Sequence, residues 1–171
     1  MKIGLISDTH GNIDYLTEAV ERLLNDYGVE TLVFLGDECE DIEPVKNMFK
    51  EVIWVPGVFC SHYKDKNIPH RLIKEFDKVK ILITHTPSSH PNDFNDDIKP
   101  ENVKDIDMVF YGHTHIPKIE EKENVIWVNP GHLKREDKRG ANPSFGIVDF
   151  EKKEIKIIDF ITDKEILQKR F

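Results

Sequence analysis

The stretch Lys2-Ile3-Gly4-Leu5-Ile6-Ser7-Asp8-Thr9-His10-Gly11-Asn12 decides how the rest of the chain is read. Lys2 to Ser7 reads as a buried strand that runs straight into a polar turn, Asp8 to Asn12. Residues 13 to 27 then carry Ile13, Leu16, Val20, Leu23 and Leu24, with Tyr27 close by, at helical spacing. Gly28 is placed to close that helix. Thr31 to Leu35 is a second buried strand, ending in Gly36-Asp37. The first 37 residues therefore predict a β-α-β unit. Asp8 and Asp37 lie at strand C-terminal ends, where open α/β sheets place their ligands.

Working outward, Glu43 to Phe49 predicts a short helix with Pro44 near its first turn. Val52 to Val55 predicts a strand ending in Pro56-Gly57. Arg71 to Phe76 and Val79 to Thr84 are further strands, the second ending at His85. Residues 86 to 100, rich in Pro, Asn, Asp and Ser, form a long loop of the kind that often carries function. Met108 to Tyr111 is a strand leading into Gly112-His113-Thr114-His115. Beyond it the pattern turns to hairpins: Lys118 to Glu121 with Val125 to Val128, then Phe145 to Phe150 with Glu154 to Ile161. Lys164 to Arg170 reads as a solvated, charged end. A βαβ start with a β-rich finish implies an α/β (α+β) chain of two packed sheets with helices outside.

Composition narrows the classes. At 171 residues, with no repeat or linker, a single domain over 1–171 is expected. Charged residues make up 33%, above the usual quarter, which fits a heat-adapted source. The net charge of −8, with no basic run, argues against non-specific nucleic-acid binding. No secretory apolar region follows Met1-Lys2 and no run reaches membrane-spanning length, so a soluble, cytoplasmic protein without a membrane partner is expected. Cys39 and Cys60 do not make a disulfide framework and read as two reduced thiols.

The chemical signal lies in the histidines. Of eight, four fall with two aspartates into Asp8-x-His10, Gly36-Asp37, His85 and Gly112-His113-x-His115, each directly after an apolar strand. In extended backbone, residues i and i+2 point the same way, so Asp8 and His10 are expected to grip one ion. His113 and His115 do likewise, or serve two neighbouring ions. Carboxylate plus imidazole suits Mn, Fe, Zn, Co or Ni and is too nitrogen-rich for Ca or Mg. Six ligands exceed one tetrahedral site, which points to two divalent transition-metal ions sharing a carboxylate. Two such ions make a local positive field that draws an anionic phosphate into an acidic protein.

With these motifs in place the chain resembles the calcineurin-like metallophosphoesterase superfamily, and within it the small prokaryotic single-domain phosphodiesterases. The resemblance spans nearly the whole chain: D-x-H at 8–10, G-D at 36–37, the region of Gly57, His85, G-H-T-H at 112–115 and Asn129-Pro130-Gly131. It implies a four-layer αββα sandwich of two mixed β-sheets flanked by helices. It also implies that Asp8, His10 and His115 bind one metal, that Asp37 bridges, and that His85 and His113 bind the other. The family usually shows Gly-Asn-His-Asp or Gly-Asn-x-Asp after the third strand, whereas this sequence has Gly57-Val58-Phe59-Cys60. Val58 cannot ligate, so Cys60, His62 or water is left to fill the second ion's shell, and a thiolate there would favour zinc.

The implied reaction is hydrolysis of a small phosphodiester, or of a phosphomonoester, by a metal-bridging hydroxide, with Asp37, His85 and His113 nearest the chemistry. His90, in the Pro-rich loop, is a candidate acid or phosphate donor; Arg71 and His132 are further candidates. Asn12 reads as the N-cap of the first helix. Two rivals remain. A non-catalytic scaffold on the same fold is favoured by Val58 and opposed by the six other ligands. A nuclease is opposed by the charge and the small size.

Overall fold

The computed structural model describes residues 1–171. Strands β1 (Lys2–Ile6), β2 (Thr31–Phe34) and β3 (Glu51–Trp54) pair in parallel, and β9 (Ser144–Asp149), β10 (Glu154–Asp159) and β11 (Glu165–Arg170) extend the sheet antiparallel from β1. The order is β11-β10-β9-β1-β2-β3. A second sheet runs β4-β5-β6-β8-β7, from β4 (Arg71–Phe76), β5 (Val79–Thr84), β6 (Met108–Phe110), β7 (Lys118–Lys122) and β8 (Val125–Asn129). Its centre, β5-β6-β8, is parallel and its flanks are antiparallel. These are the two mixed sheets expected.

Alternation along the strands explains the layering. Ile3, Leu5, Val33 and Leu35 meet Ile81, Ile83, Phe110 and Val128 in a core between the sheets. The opposite face of the first sheet buries Ile6, Leu32 and Phe34 against Leu16, Val20 and Leu23 of α1 (Ile13–Asn25). Gly4 is needed at that contact, because a Cβ there would lie 2.8 Å from a Leu23 methyl. The far face of the second sheet packs Leu82, Val109 and Tyr111 under Val103 and Ile106, in the segment that leads into β6.

Helices are fewer than the sequence suggests. The helix expected over Glu43 to Phe49 is replaced by 3-10 turns at Cys39–Ile42 and Lys46–Met48. A seven-residue segment with Pro44 near its start is too short to hold an α-helix without a cap. Asn12 does occupy the N-cap position of α1, but its side chain donates to Leu133 O (2.7 Å) and makes no cap bond. The end expected to be solvated is β11, an edge strand on β10. Leu167 and Phe171 pack on the inter-sheet core while charged residues cover the edge.

Candidate metal centre

Parallel pairing brings the C-terminal ends of β1, β2, β5 and β6 to one edge of the sandwich. Asp8 N–H donates to Gly36 O (3.1 Å) and Gly112 N–H to His85 O (3.0 Å), so adjacent strand ends are joined in pairs. Two glycines permit close approach, Gly57 between the ends of β3 and β2 and Gly112 between the ends of β6 and β1. A Cβ on Gly57 would sit 2.3 Å from Asp37 Cα, and one on Gly112 would sit 1.9 Å from Ser7 Oγ.

The expectation that Asp8 and His10 share direction through extended backbone does not hold. Asp8, His10, Asp37, His113 and His115 all have positive φ, between 48° and 94°. The left-handed region costs a side-chain-bearing residue about 1 kcal/mol or more, with Asp and His among the residue types that visit it most. Five such residues in one place are the mark of a functional site. The turns at 8–10 and 113–115 are pinned from behind: Thr9 Oγ1 (2.5 Å) and Gly11 N–H (2.7 Å) donate to buried Asp41, and Asn129 Nδ2 donates to Gly112 O (2.8 Å) and Thr114 Oγ1 (2.9 Å).

The six side chains converge. Asp8 Oδ1 lies 3.2 Å from His115 Nε2, which lies 3.1 Å from His10 Nε2. Asp8, Asp37 and His85 form a second group able to share one ion. His113 Nδ1 lies 3.3 Å from His85 Nε2. His85 Nδ1–H donates to Leu35 O (2.7 Å), which leaves Nε2 with its lone pair facing the cluster. Asp37 Oδ2 is buried and 2.6 Å from His10 Nδ1, yet the approach lacks hydrogen-bond geometry, so this oxygen has no partner. A buried, orphaned carboxylate oxygen among imidazole lone pairs is the donor set a transition-metal ion satisfies.

Electrostatics agree. Burial works to raise the Asp8 carboxyl, but hydrogen bonds from His115 and Ser7 and the nearby His85 outweigh it and hold it below the ordinary carboxylate value. Burial and neighbouring His85 lower the basicity of His113, which favours the neutral, ligating ring. Burial acts the same way on His115, but Asp8 and Asp137 overcome it and raise its pKa.

Asp137 escaped the sequence reading. It sits in a charged run, Lys134 to Arg139, that looks like any solvated loop. In the fold its side chain is buried, Oδ2 is hydrogen-bonded to His115 Nδ1, and Oδ1 accepts Arg139 N–H (2.8 Å). That is the carboxylate–histidine pairing which orients a metal-binding imidazole. The same run lines an open pocket of about 450 Å³ beside His10, Gly11 and Asn12, with Lys134 and Arg135 on its wall alongside Asp14 and Glu136.

The other candidates divide. His90 stands beside the cluster, its ring 6.3 Å from that of His113, and the 78% exposed Phe59 stands edge-on to it. Cys60 and His62 do not join the six; they gather with Cys39 instead, because the turn after Gly57 carries them toward the loop after β2. Val58 is buried, its carbonyl accepting from Asn92 Nδ2 (3.4 Å). Arg71 is buried and donates to Thr86 Oγ1 (3.1 Å) and Asp93 (2.8 Å), fastening the loop that bears His90. His132 donates to Ala141 O (3.1 Å) and accepts Lys134 N–H (3.0 Å), a structural pairing.

Residues 1–153 match the family model for the calcineurin-like phosphoesterase superfamily domain. A phosphodiesterase of Methanocaldococcus jannaschii is 32% identical over 171 residues, covering 92% of this chain and 98% of its own. Phosphodiesterase YfcE of Escherichia coli K12 is 29% identical over 174 residues, 87% of this chain and 88% of its own. The solved structure of Yfce, a phosphoesterase from E. coli, aligns at a TM-score of 0.75 and 23% identity over 99% and 98% of the two chains. Zinc-complexed Vps29 of Entamoeba histolytica aligns at 0.68 and 19% identity over 100% and 98%, a likeness of fold alone.

Proposed function

The chain belongs to the calcineurin-like phosphoesterase superfamily, metal-dependent hydrolases of phosphate esters, and we propose that it is a phosphodiesterase working with two metal ions in one domain over residues 1–171. In this reading Asp8, His10 and His115 hold one ion, Asp37 bridges, and His85 and His113 hold the other. Mn, Fe, Co, Ni and Zn suit the ligand set. The observation that carries it is the orphaned Asp37 Oδ2, which faces imidazole nitrogens on strained backbone.

The ions, when bound, supply Lewis acidity and a water of lowered pKa for attack at phosphorus. The chain's own residues do the rest. Leu35 O and Asp137 fix the rings of His85 and His115. Ser7 Oγ–H and His113 N–H hold Asp8 Oδ2, at 2.5 and 2.9 Å, so that Oδ1 is left for the cluster. Lys134 and Arg135 beside His10 are each held by a carboxylate, Asp137 at 3.4 Å and Asp14 at 2.8 Å, so the pull on the anionic ester falls to the ions. His90, next to His113, protonates the leaving oxygen. A small ester suits this open site, and cytoplasmic residence belongs to the same reading.

The test is hydrolysis of bis-p-nitrophenyl phosphate and p-nitrophenyl phosphate by metal-stripped protein resupplied with Mn, Ni, Co, Zn or Mg in turn. Metal-restored turnover with preference for the diester is expected. Asp37→Asn, which keeps a residue tolerant of positive φ, should lose more than the 10–100-fold typical of outer-shell changes. No turnover in folded, metal-loaded protein would overturn the reading in favour of a scaffold.

A further inference from the structure

Cys39, Cys60 and His62 form a second cluster of metal-binding groups that the hydrolytic site does not use. Cys39 lies in the 3-10 turn after β2, two residues beyond Asp37; Cys60 and His62 lie in the turn after β3. The sulfurs are 2.8 Å apart, inside the roughly 3.5–4 Å at which non-bonded heavy atoms pack. Cys60 Sγ is 3.4 Å from His62 Nδ1, which is 3.6 Å from Glu40 Oε1. Ser61 Oγ–H donates to the same Glu40 oxygen (3.1 Å) and holds it toward the group. Both thiols are buried, while His62 and Glu40 are partly exposed. Two sulfurs are thus presented from below and a nitrogen from the solvent side.

We propose that Cys39, Cys60 and His62 bind one zinc-type ion in a structural site separate from the catalytic cluster. Two thiolates and one imidazole supply three of the four donors that zinc takes tetrahedrally, with bonds of about 2.0–2.3 Å, and water completes the shell on the solvent side. Binding displaces the two thiol protons to solvent and draws the sulfurs apart to about 3.7 Å, the separation that tetrahedral Zn–S geometry sets. A disulfide would satisfy the sulfurs alone and leave the His62 nitrogen, 3.4 Å from Cys60 Sγ, unused. The ion ties the loop carrying Asp37 to the loop beginning at Gly57, two segments already in backbone contact. It therefore fixes the strained turn at Asp37 from behind. Binding itself does not depend on the phosphodiesterase reading.

The test uses the full chain, metal-stripped and kept reduced with a phosphine, titrated with Co2+ as a coloured stand-in for zinc. A near-ultraviolet sulfur-to-cobalt charge-transfer band is expected, bleached by added zinc. Cys60→Ser and Cys39→Ser should each abolish the band and bind one zinc fewer per chain. Asp37→Asn should leave it intact, which separates this site from the catalytic one. His62→Gln, at a partly exposed position, should keep the band but shift the visible cobalt bands and weaken binding at least tenfold. Folded protein with two free thiols and no such band would overturn the proposal. So would a band that survives Cys60→Ser, or sulfurs that oxidise to a disulfide on removal of the phosphine even under saturating zinc.

Discussion

Replacing Asp137 with Ala tests how far the metal cluster depends on a residue that touches no ion in the proposed scheme. Asp137 Oδ2 holds the Nδ1–H of His115, so the lone pair on Nε2 faces Asp8 and His10. It also offsets Lys134 Nζ (3.4 Å) and Arg139 Nη1 (3.6 Å), which would otherwise set unpaired positive charge beside the ions. Loss of such an outer partner costs about 10–100-fold in metal affinity, or about 1.4–2.7 kcal/mol. Asp137→Asn should fall between wild type and Ala. Its amide oxygen can still accept from His115, but only by turning its NH2 toward Arg139 N–H and giving up that exposed bond. A neutral acceptor is also roughly half as strong as a charged one. The assay is competition against a chelator of known affinity, run beside hydrolysis at limiting and saturating metal. Turnover should recover at saturation in both variants. Wild-type affinity in Asp137→Ala would refute the orienting role, as would an Asn variant weaker than Ala.

Two further perturbations probe the scaffold. Gly112→Ala places a methyl 1.9 Å from Ser7 Oγ and should cost about 1–3 kcal/mol; adding Ser7→Ala should return part of that loss, and strict additivity in thermal melts would contradict the packing argument. Asp159 accepts from Asn142, Ile161 and Thr162 at 2.8–3.0 Å at the β10–β11 turn. Burial works to raise its pKa, but these bonds prevail and hold it below the usual value. A carboxylate depressed in the fold stabilises fully above its unfolded pKa, near 3.9, and that contribution is lost as pH falls through the lower folded value. Asp159→Ala should therefore cost about 1–3 kcal/mol at neutral pH, at about 2–4 °C in Tm per kcal/mol, and less near pH 3. Equal losses at both pH values would remove the charge from the explanation.

The sequence by itself determined ten of the eleven strands, the β-α-β start and the convergence of six side chains. Apolar runs are local signals, and each chemical motif sits directly after one, so strand ends and candidate ligands are read together at Asp8, Asp37, His85 and His113. It could not show β11, because an edge strand alternates weakly and carries charge like a solvated tail. Nor could it show the left-handed turns that aim Asp8, His10, Asp37, His113 and His115, since their strain is borne by distant partners such as Asp41 and Asn129. Asp137 and the Cys39–Cys60–His62 group were decided only by tertiary structure. Asp137 is 22 residues from His115, and Cys39 is 21 from Cys60. At those separations no period links them; only the packing of the turns after β2, β3 and β8 across one edge of the sandwich brings them within bonding distance.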